Sequence, residues 1–535
     1  MRWLEWVLAC SVSMAAVAPG CRTARPATSA AVPTPIPDVQ PAAYQAPAPS
    51  VPGEDAAEEE ETLRLPPLDA GEPEEVPLPV SAPSVEQLAA SVRLHFPLVQ
   101  QAVAARVIAS GEALAAAGAF DRKLEGASIS QPLDFYENYR HEIGVKRDTY
   151  WGGETFAGYR VGRGDFEPWY QERQTNEGGE FKLGFLAPLA RDRGIDENRA
   201  ELWRAQLERG RVEPEIRAMI IGSVRDATAV YWQWVASAAA YRIAGEVLQL
   251  GLDRADYLER QVDEGEKAQI DIVDNRRIIV SRQAKLTDAR RKLEQSAVKL
   301  SLFLRDDTGR PVVLPLALAN VTFPDALAPE AWGEQADVPL AQANRPELEE
   351  LQLARRQLAV LLRQANNETR PRVDAGLLAA QDVGAPTSAK RDKSELKLEA
   401  SVLLSVPLER RKALGKARQL RGKIAQLRAK TRFASDKIAA ETQAAHVGLT
   451  AAAERAAQTT EGVALAERMQ AAEERLYREG QSTLFNLNLR EQQLAEAAIA
   501  RVEALYDYHV ALADYAAALG FESAASLEPL ARSGF

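Results

Sequence analysis

The sequence predicts a mainly α fold with β, organised as a tandem-duplicated helix–β-hairpin–helix unit. Three observations predict it: a set of marks that recurs along the chain, a sustained heptad in each copy, and a strictly alternating segment ahead of the second heptad. Glu259, Arg260, Glu264 and Gly265 recur as Glu474, Arg475, Glu479 and Gly480, 215 positions on. Pro188-Leu189-x-Arg191 recurs as Pro407-Leu408-x-Arg410, 219 positions on, and Pro97-Leu98 is echoed by Pro346-Glu347-Leu348, 249 positions on. Marks in one order twice over are the signature of a repeated architectural unit. Between the first and second marks copy one carries 30 more residues than copy two. Insertions of that size are expected in loops. Between the second mark and the Gly the copies differ by four residues, about one turn of helix.

The long helices come first in the argument because their pattern is the longest. In copy one Val224, Ala227, Tyr231, Trp234, Ala238, Tyr241, Gly245, Leu248, Leu252 and Ala255 step by three and four. That period of 3.5 keeps one seam on a partner and implies a left-handed supercoil. In copy two the seam is Ala417, Leu420, Ile424, Leu427, Thr431, Ala434 and Ile438. Helical composition runs from Asn198 to about Glu264, interrupted by Pro214 alone, and from 409 to 478 without Pro. Each run makes a rod of about 100 Å at 1.5 Å per residue. Each ends at a Gly, Gly265 or Gly480, as helices do when a left-handed residue closes them. A second run follows, 270–304 and 483–519, so each copy folds into an antiparallel helical hairpin.

The strands are read next. From Glu395 to Val406, Leu396, Leu398, Ala400, Val402, Leu404 and Val406 share one face, and Glu395, Lys397, Glu399, Ser401 and Ser405 share the other, with Leu403 the exception. Such alternation marks a strand with one apolar and one wet face, as in a membrane barrel. Its partner is Arg372 to Gln381, joined through Gly384-Ala385-Pro386-Thr387-Ser388. Copy one offers the less regular Glu180 to Phe185 before Pro188. Upstream lie Phe135, Tyr136, Tyr139, Tyr150, Trp151, Phe156, Tyr159, Phe166, Trp169 and Tyr170. These aromatics fit a membrane interface or an aromatic core beneath a long soluble loop. Two hairpins give four strands per chain. Four strands cannot close, and each unpaired backbone group in lipid costs several kcal/mol. A barrel built from them must be shared among chains: two copies give eight strands, three give twelve.

The ends and the charge set further bounds. Arg2, the apolar stretch Trp6 to Val17 and Ala18-Pro19-Gly20-Cys21 read as an export signal. Small residues before Cys21 make it a candidate lipidation site at a lipobox; an ordinary signal peptide cut elsewhere is the alternative. Both cysteines, Cys10 and Cys21, lie in this leader, so the body has no thiol chemistry. Residues 22–83 are rich in Pro, Ala and Glu and read as a disordered tether. The formal net charge of −11 argues against nucleic-acid binding. No later apolar run reaches about 18 residues, so no transmembrane helix is expected. His95, His141, His446 and His509 lack metal-ligand spacing and read as incidental. Leu414-Gly415-Lys416-Ala417 is not a phosphate loop, no nucleophile elbow is present, and Gly162-Arg163-Gly164 reads as a turn. No enzyme activity and no cofactor are expected.

With these features together, the chain resembles the outer-membrane efflux proteins, whose type is TolC, over about residues 84–520. The carriers are the duplicated plan, Arg345-Pro346-Glu347-Leu348, and the two Pro-Leu-x-Arg exits. Tyr477-x-x-Gly480-Gln481-Ser482-Thr483-x-Phe485-Asn486 and Leu519-Gly520 complete them. The resemblance implies a long coiled-coil α-barrel plus a shared transmembrane β-barrel of four strands per chain. It implies a homotrimer in outer-membrane lipid that exports passively, working with a periplasmic adaptor (membrane fusion) protein and an inner-membrane pump. Arg22 after Cys21 is not the Asp that resembles an inner-membrane retention signal, so the outer membrane is favoured.

The organisation expected is a signal peptide with lipobox (1–21), the tether (22–83), repeat 1 (84–340), repeat 2 (341–520) and a tail (521–535). Repeat 1 holds a hairpin at about 124–188, helices at about 196–305 and a connector at 306–340. Repeat 2 holds a hairpin at about 370–407 and helices at about 409–519. By carry-over, Gly265 with Asp271 and Asp274, and Gly480 with Asn486, sit at the periplasmic tip, where adaptors dock and the pore narrows. Asn486 stands where the family often has Asp. Acidic rings bias a pore towards cations; the alternative is that Asp271 and Asp274 cap a helix start. The competing function is a periplasmic coiled-coil structural or adaptor lipoprotein without a pore.

Overall fold

A computed structural model describes residues 81–166, 173–265, 268–328, 335–387 and 396–527. The chain divides into 1–63 and 64–535, and every described residue belongs to the second unit. The leader, Cys21, most of the tether, and Trp169 and Tyr170 lie outside the described residues.

Two short helices open the unit. In α1 (Val85–His95) the Ser84 hydroxyl accepts from the Gln87 N–H while the Gln87 side chain accepts from the Ser84 N–H, a reciprocal capping box. α2 (Pro97–Ala117) begins with Pro at its first position, where a missing N–H costs nothing. Then come β1 (Lys123–Gln131), β2 (Asn138–Asp148), β3 (Glu154–Gly164) and β4 (Glu180–Pro188), and the long helices α3 (Glu197–Asp263) and α4 (Gln269–Leu300). The second half runs through α5 (Val338–Asn344), α6 (Pro346–Asn367), β5 (Arg372–Asp382), β6 (Lys397–Ser405), α7 (Arg411–Arg478) and α8 (Leu484–Ala518). α3 has 67 residues and α7 has 68, each about 100 Å long.

Among the described residues one antiparallel sheet has six strands, in the order β1-β2-β3-β4-β5-β6. This corrects the four strands per chain expected from sequence. The extra residues of copy one are not a loop. They form the hairpin β2–β3, paired from Asn138↔Gly164 to Asp148↔Glu154. Gly162-Arg163-Gly164 is accordingly the end of a strand and not a turn. The pattern hid there because Gly144, Gly158, Gly162 and Gly164 hold positions where an alternating strand would show large side chains. Glycine in a strand usually marks a close approach: a Cβ on Gly144 would stand 2.9 Å from the Ala157 carbonyl oxygen on the paired strand.

Helices are arranged as a wall four wide at two levels. Beside the sheet, α2 packs on α3, α3 on α6 and α6 on α7. Further along, α4 packs on α3, α3 on α8 and α8 on α7. Each helix of the first row adjoins one strand in sequence: α2 leads into β1, β4 into α3, α6 into β5 and β6 into α7.

The main core joins α1, α3 and α4 through Leu88, Val92, Trp234, Val235 and Leu300, closed by Leu304, Val312 and Leu314 of the connector. A second core joins α5, α7 and α8 around Ala341, Leu449, Tyr508 and Leu519. His509 is not incidental. It is buried with its ring 4.2 Å from Trp232 and 5.6 Å from Phe323, and its Nε2 lies 3.2 Å from the Pro324 carbonyl. Burial lowers its pKa to about 4.

The heptad of copy one is buried at Val224, Ala227, Tyr231, Trp234 and Ala238, then slips. Beyond Leu248 the buried positions are Gly251 and Leu258, and Leu252 is exposed. A step of three where the heptad needs four overwinds a coiled coil locally. Among the described residues one helical stretch, Pro97–Phe120, is long and apolar enough, by length and composition alone, to cross a membrane. Its Arg106, however, is ion-paired to Glu213 of α3 at 2.7 Å, which places it as a member of the helical wall.

Candidate functional site

Both helix–helix turns lie at the same end of the helical region. α7 closes in a full Schellman arrangement: the Gly480 N–H donates to the Tyr477 carbonyl at 3.1 Å and the Gln481 N–H to that of Leu476 at 2.8 Å. Gly480 has φ 72° and Gly265, at the end of α3, has φ 78°. Among the described residues nothing stands within 4 Å of a Cβ placed on either. Both glycines therefore answer to backbone conformation and not to crowding.

After the turns, α8 starts on Thr483, whose hydroxyl accepts the Asn486 N–H at 3.3 Å. Asn486 itself is exposed. α4 starts on Ala268 with no side-chain cap, so Asp271 and Asp274 do not cap it. Asp271 lies in the first turn, where the helix dipole favours a carboxylate. Asp274 pairs with Arg277 at 3.0 Å. Asp274 also lines a groove of about 1040 Å³ with Phe485, Asn488 and Leu489 of α8. Thus the structure brings Asp274 towards α8, while Asn486 remains on the surface.

Three residues that the sequence reading passed over form a buried polar cluster near the turns. Glu491 of α8 is 2% exposed and holds Arg254 of α3 on one carboxylate oxygen and Arg282 of α4 on the other, the latter at 2.7 Å. Arg254 also donates to the Asn488 side-chain oxygen at 2.6 Å, and Arg282 to the Val247 carbonyl at 2.6 Å. Gly251 leaves the room: a Cβ there would meet the Arg282 guanidinium at 3.2 Å. This ion triad ties the first helical pair to the second about 10 Å along α8 from its start. The signal for it was in the sequence. Leu484, Leu487, Glu491 and Leu494 step by three and four, so Glu491 holds a seam position, and Asn275, Ile279 and Arg282 do the same on α4. A charge in a seam is costly unless paired, and marks register. Nearby, burial pushes the Tyr477 phenol above its usual pKa, with Arg254 opposing.

No family model and no curated protein matches the chain. Solved structures do. The outer membrane protein VceC of Vibrio cholerae aligns over 82% of this chain and 96% of its own, at 15% identity and a TM-score of 0.54. The open state of the Neisseria gonorrhoeae MtrE outer membrane channel aligns over 82% and 89%, at 12% identity and a TM-score of 0.55. The Campylobacter jejuni CmeC outer membrane channel aligns over 84% and 89%, at 11% identity and a TM-score of 0.55. At such identities the likeness is one of fold: the chain has the fold of the TolC-like outer-membrane channels.

Proposed function

We propose that this chain is the outer-membrane channel component of a tripartite efflux or secretion system, a passive conduit across periplasm and outer membrane. One observation carries the reading. The sheet is inverted relative to a soluble one. Its apolar face is bare, with Leu183 63% and Val402 70% exposed, while Glu180 (8%) and Asp374 (3%) on the other face are buried. Leu124, Ile143, Val145, Leu398 and Leu404 extend the bare face across the strands. Covering these seven side chains is worth on the order of 10–20 kcal/mol at about 1.5–3 kcal/mol each. Lipid supplies that cover. A coiled-coil scaffold or adaptor would need a protein layer over this face, and none stands there among the described residues.

In this reading β1 and β6 leave open edges that lipid does not tolerate, so the barrel is shared among copies, and the resemblance to the TolC-like channels makes the assembly a homotrimer. Helices of about 100 Å cross the periplasm, the two copies of the unit stand side by side in each wall segment, and Cys21 anchors the tether to the membrane. The turns at Gly265 and Gly480, with Asp271, Asp274 and Asn486, face a periplasmic adaptor and the pump behind it. The triad on Glu491 holds the helices together just above them.

The test is face-specific. Val402→Arg, on the bare face, should lose heat-modifiable oligomer in the outer membrane, since an arginine facing lipid costs about 2–4 kcal/mol. Its neighbour Ser401→Arg, on the opposite face, should retain the oligomer and its conductance in a planar bilayer. Equal behaviour of the two variants, with wild-type protein released by carbonate as a monomer, would sink the channel.

A further inference from the structure

The sheet has two more strands than the plan of one hairpin per copy requires, and their placement has a geometric consequence. β2–β3 is inserted within the sheet, between the strand fed by α2 and the strand that feeds α3. Its turn does not dangle. Tyr150 stacks on Phe120 at the end of α2, with ring centroids 4.3 Å apart. The Arg147 guanidinium donates to the Phe120 carbonyl at 3.0 Å, and Asn198, at the start of α3, donates to Asp148 at 3.4 Å. Gly153 presses on β4 so closely that a Cβ would lie 2.1 Å from the Leu186 carbonyl oxygen. The hairpin thus begins at the level where helices become strands, and with 11 residues in each strand it rises as far as its neighbours. Ile143 and Val145 continue the bare apolar face, and Glu142 and Lys146 continue the polar one.

The widths agree. A wall of four helices at 8–10 Å spacing spans an arc of about 36 Å. Six strands 4.8 Å apart and tilted near 40° span about 38 Å, whereas four would span only about 25 Å. Each chain's sheet is therefore as wide as the helical wall beneath it, whatever the number of copies. The two edges match as well. β1 and β6 each have nine residues, and an even strand count makes them antiparallel, so β6 of one copy can pair with β1 of the next.

We propose that β2–β3 is part of the transmembrane wall, so that each chain supplies six strands to a barrel closed by β6–β1 pairing with a second copy. This rests on the channel reading above. Three copies give eighteen strands and a bore between backbones of about 36 Å, against about 24 Å for twelve. The outlet then has no taper relative to the tunnel, and suits cargo of large girth, such as polypeptides with structure, as well as small molecules.

Single cysteines at Glu142, Ile143, Val145 and Lys146 in the full-length protein, carrying a nitroxide label in proteoliposomes, test it. Val402 and Ser401 on β6 serve as the reference pair. If the hairpin is in the wall, Ile143 and Val145 relax with oxygen and Glu142 and Lys146 with a water-soluble nickel chelate, each severalfold over the other reagent. If all four β2 sites answer to nickel while Val402 and Ser401 still alternate, the hairpin lies outside the membrane. The six-strand wall is then overturned and the channel survives. If Val402 and Ser401 also fail to alternate, the channel reading falls and takes this one with it.

Discussion

Replacing Glu491 by Gln tests whether the buried triad holds the helices at the turns. The substitution keeps shape and removes the one negative charge between two guanidinium groups. Arg254 and Arg282 are both nearly buried and both rely on it. Breaking a buried ion pair from one side costs about 3–5 kcal/mol, because the remaining charge is left uncompensated. Here two charges of the same sign remain, so about 3 kcal/mol is the lower end. If the triad exists only when α8 is held against α3 and α4, that energy is taken from the closed arrangement. A channel open 1% of the time would then be open more than half of the time, since 1.4 kcal/mol is a factor of ten. Single-channel recording in a planar bilayer reads the open fraction directly, and antibiotic susceptibility of cells reads the leak. A Glu491→Gln protein with wild-type open fraction and wild-type melting temperature would refute the reasoning, because the triad would then neither hold the helices nor stabilise them.

Three more outcomes are expected. Gly480→Ala should cost only about 1 kcal/mol, the left-handed penalty alone, since nothing crowds its Cβ. Gly520→Ala should cost more, because it has φ 83° and a Cβ would also meet Asn344 at 3.0 Å; equal shifts in melting temperature would contradict this. His509 has a folded pKa near 4 against 6.5, so the unfolded chain takes up its proton first. Stability is full above pH 6.5 and falls by about 3 kcal/mol as the pH drops towards 4. His509→Phe should flatten that fall in denaturant titrations, and an unchanged slope would show the histidine is not its source. Labelled palmitate should enter the wild type and not Cys21→Ser; equal labelling would remove the anchor.

The long helices and the last two strands were legible because each is periodic and uninterrupted. The alternation at Leu398, Val402 and Leu404 comes from side chains that all face one way, and β6 stands there. β2 and β3 were illegible for the opposite reason. Their polar face is partly glycine, whose role is to let neighbouring backbone and, at Gly162, the Phe166 ring approach, and a missing side chain leaves no period to read. The cluster on Glu491 was half legible. Its seam position could be counted, but its partners come from helices 209 and 237 residues away.

By itself, then, the sequence determined which segments are helices of about 100 Å, where glycine turns end them, and that one strand has a lipid-like face. These are local matters, set by period, capping and φ. Only the tertiary structure decided that the sheet has six strands, that a seam glutamate holds two arginines, and that Asp274 rather than Asn486 faces the neighbouring helix. Each of those depends on which distant surfaces meet, and pairing between segments leaves no mark within either one.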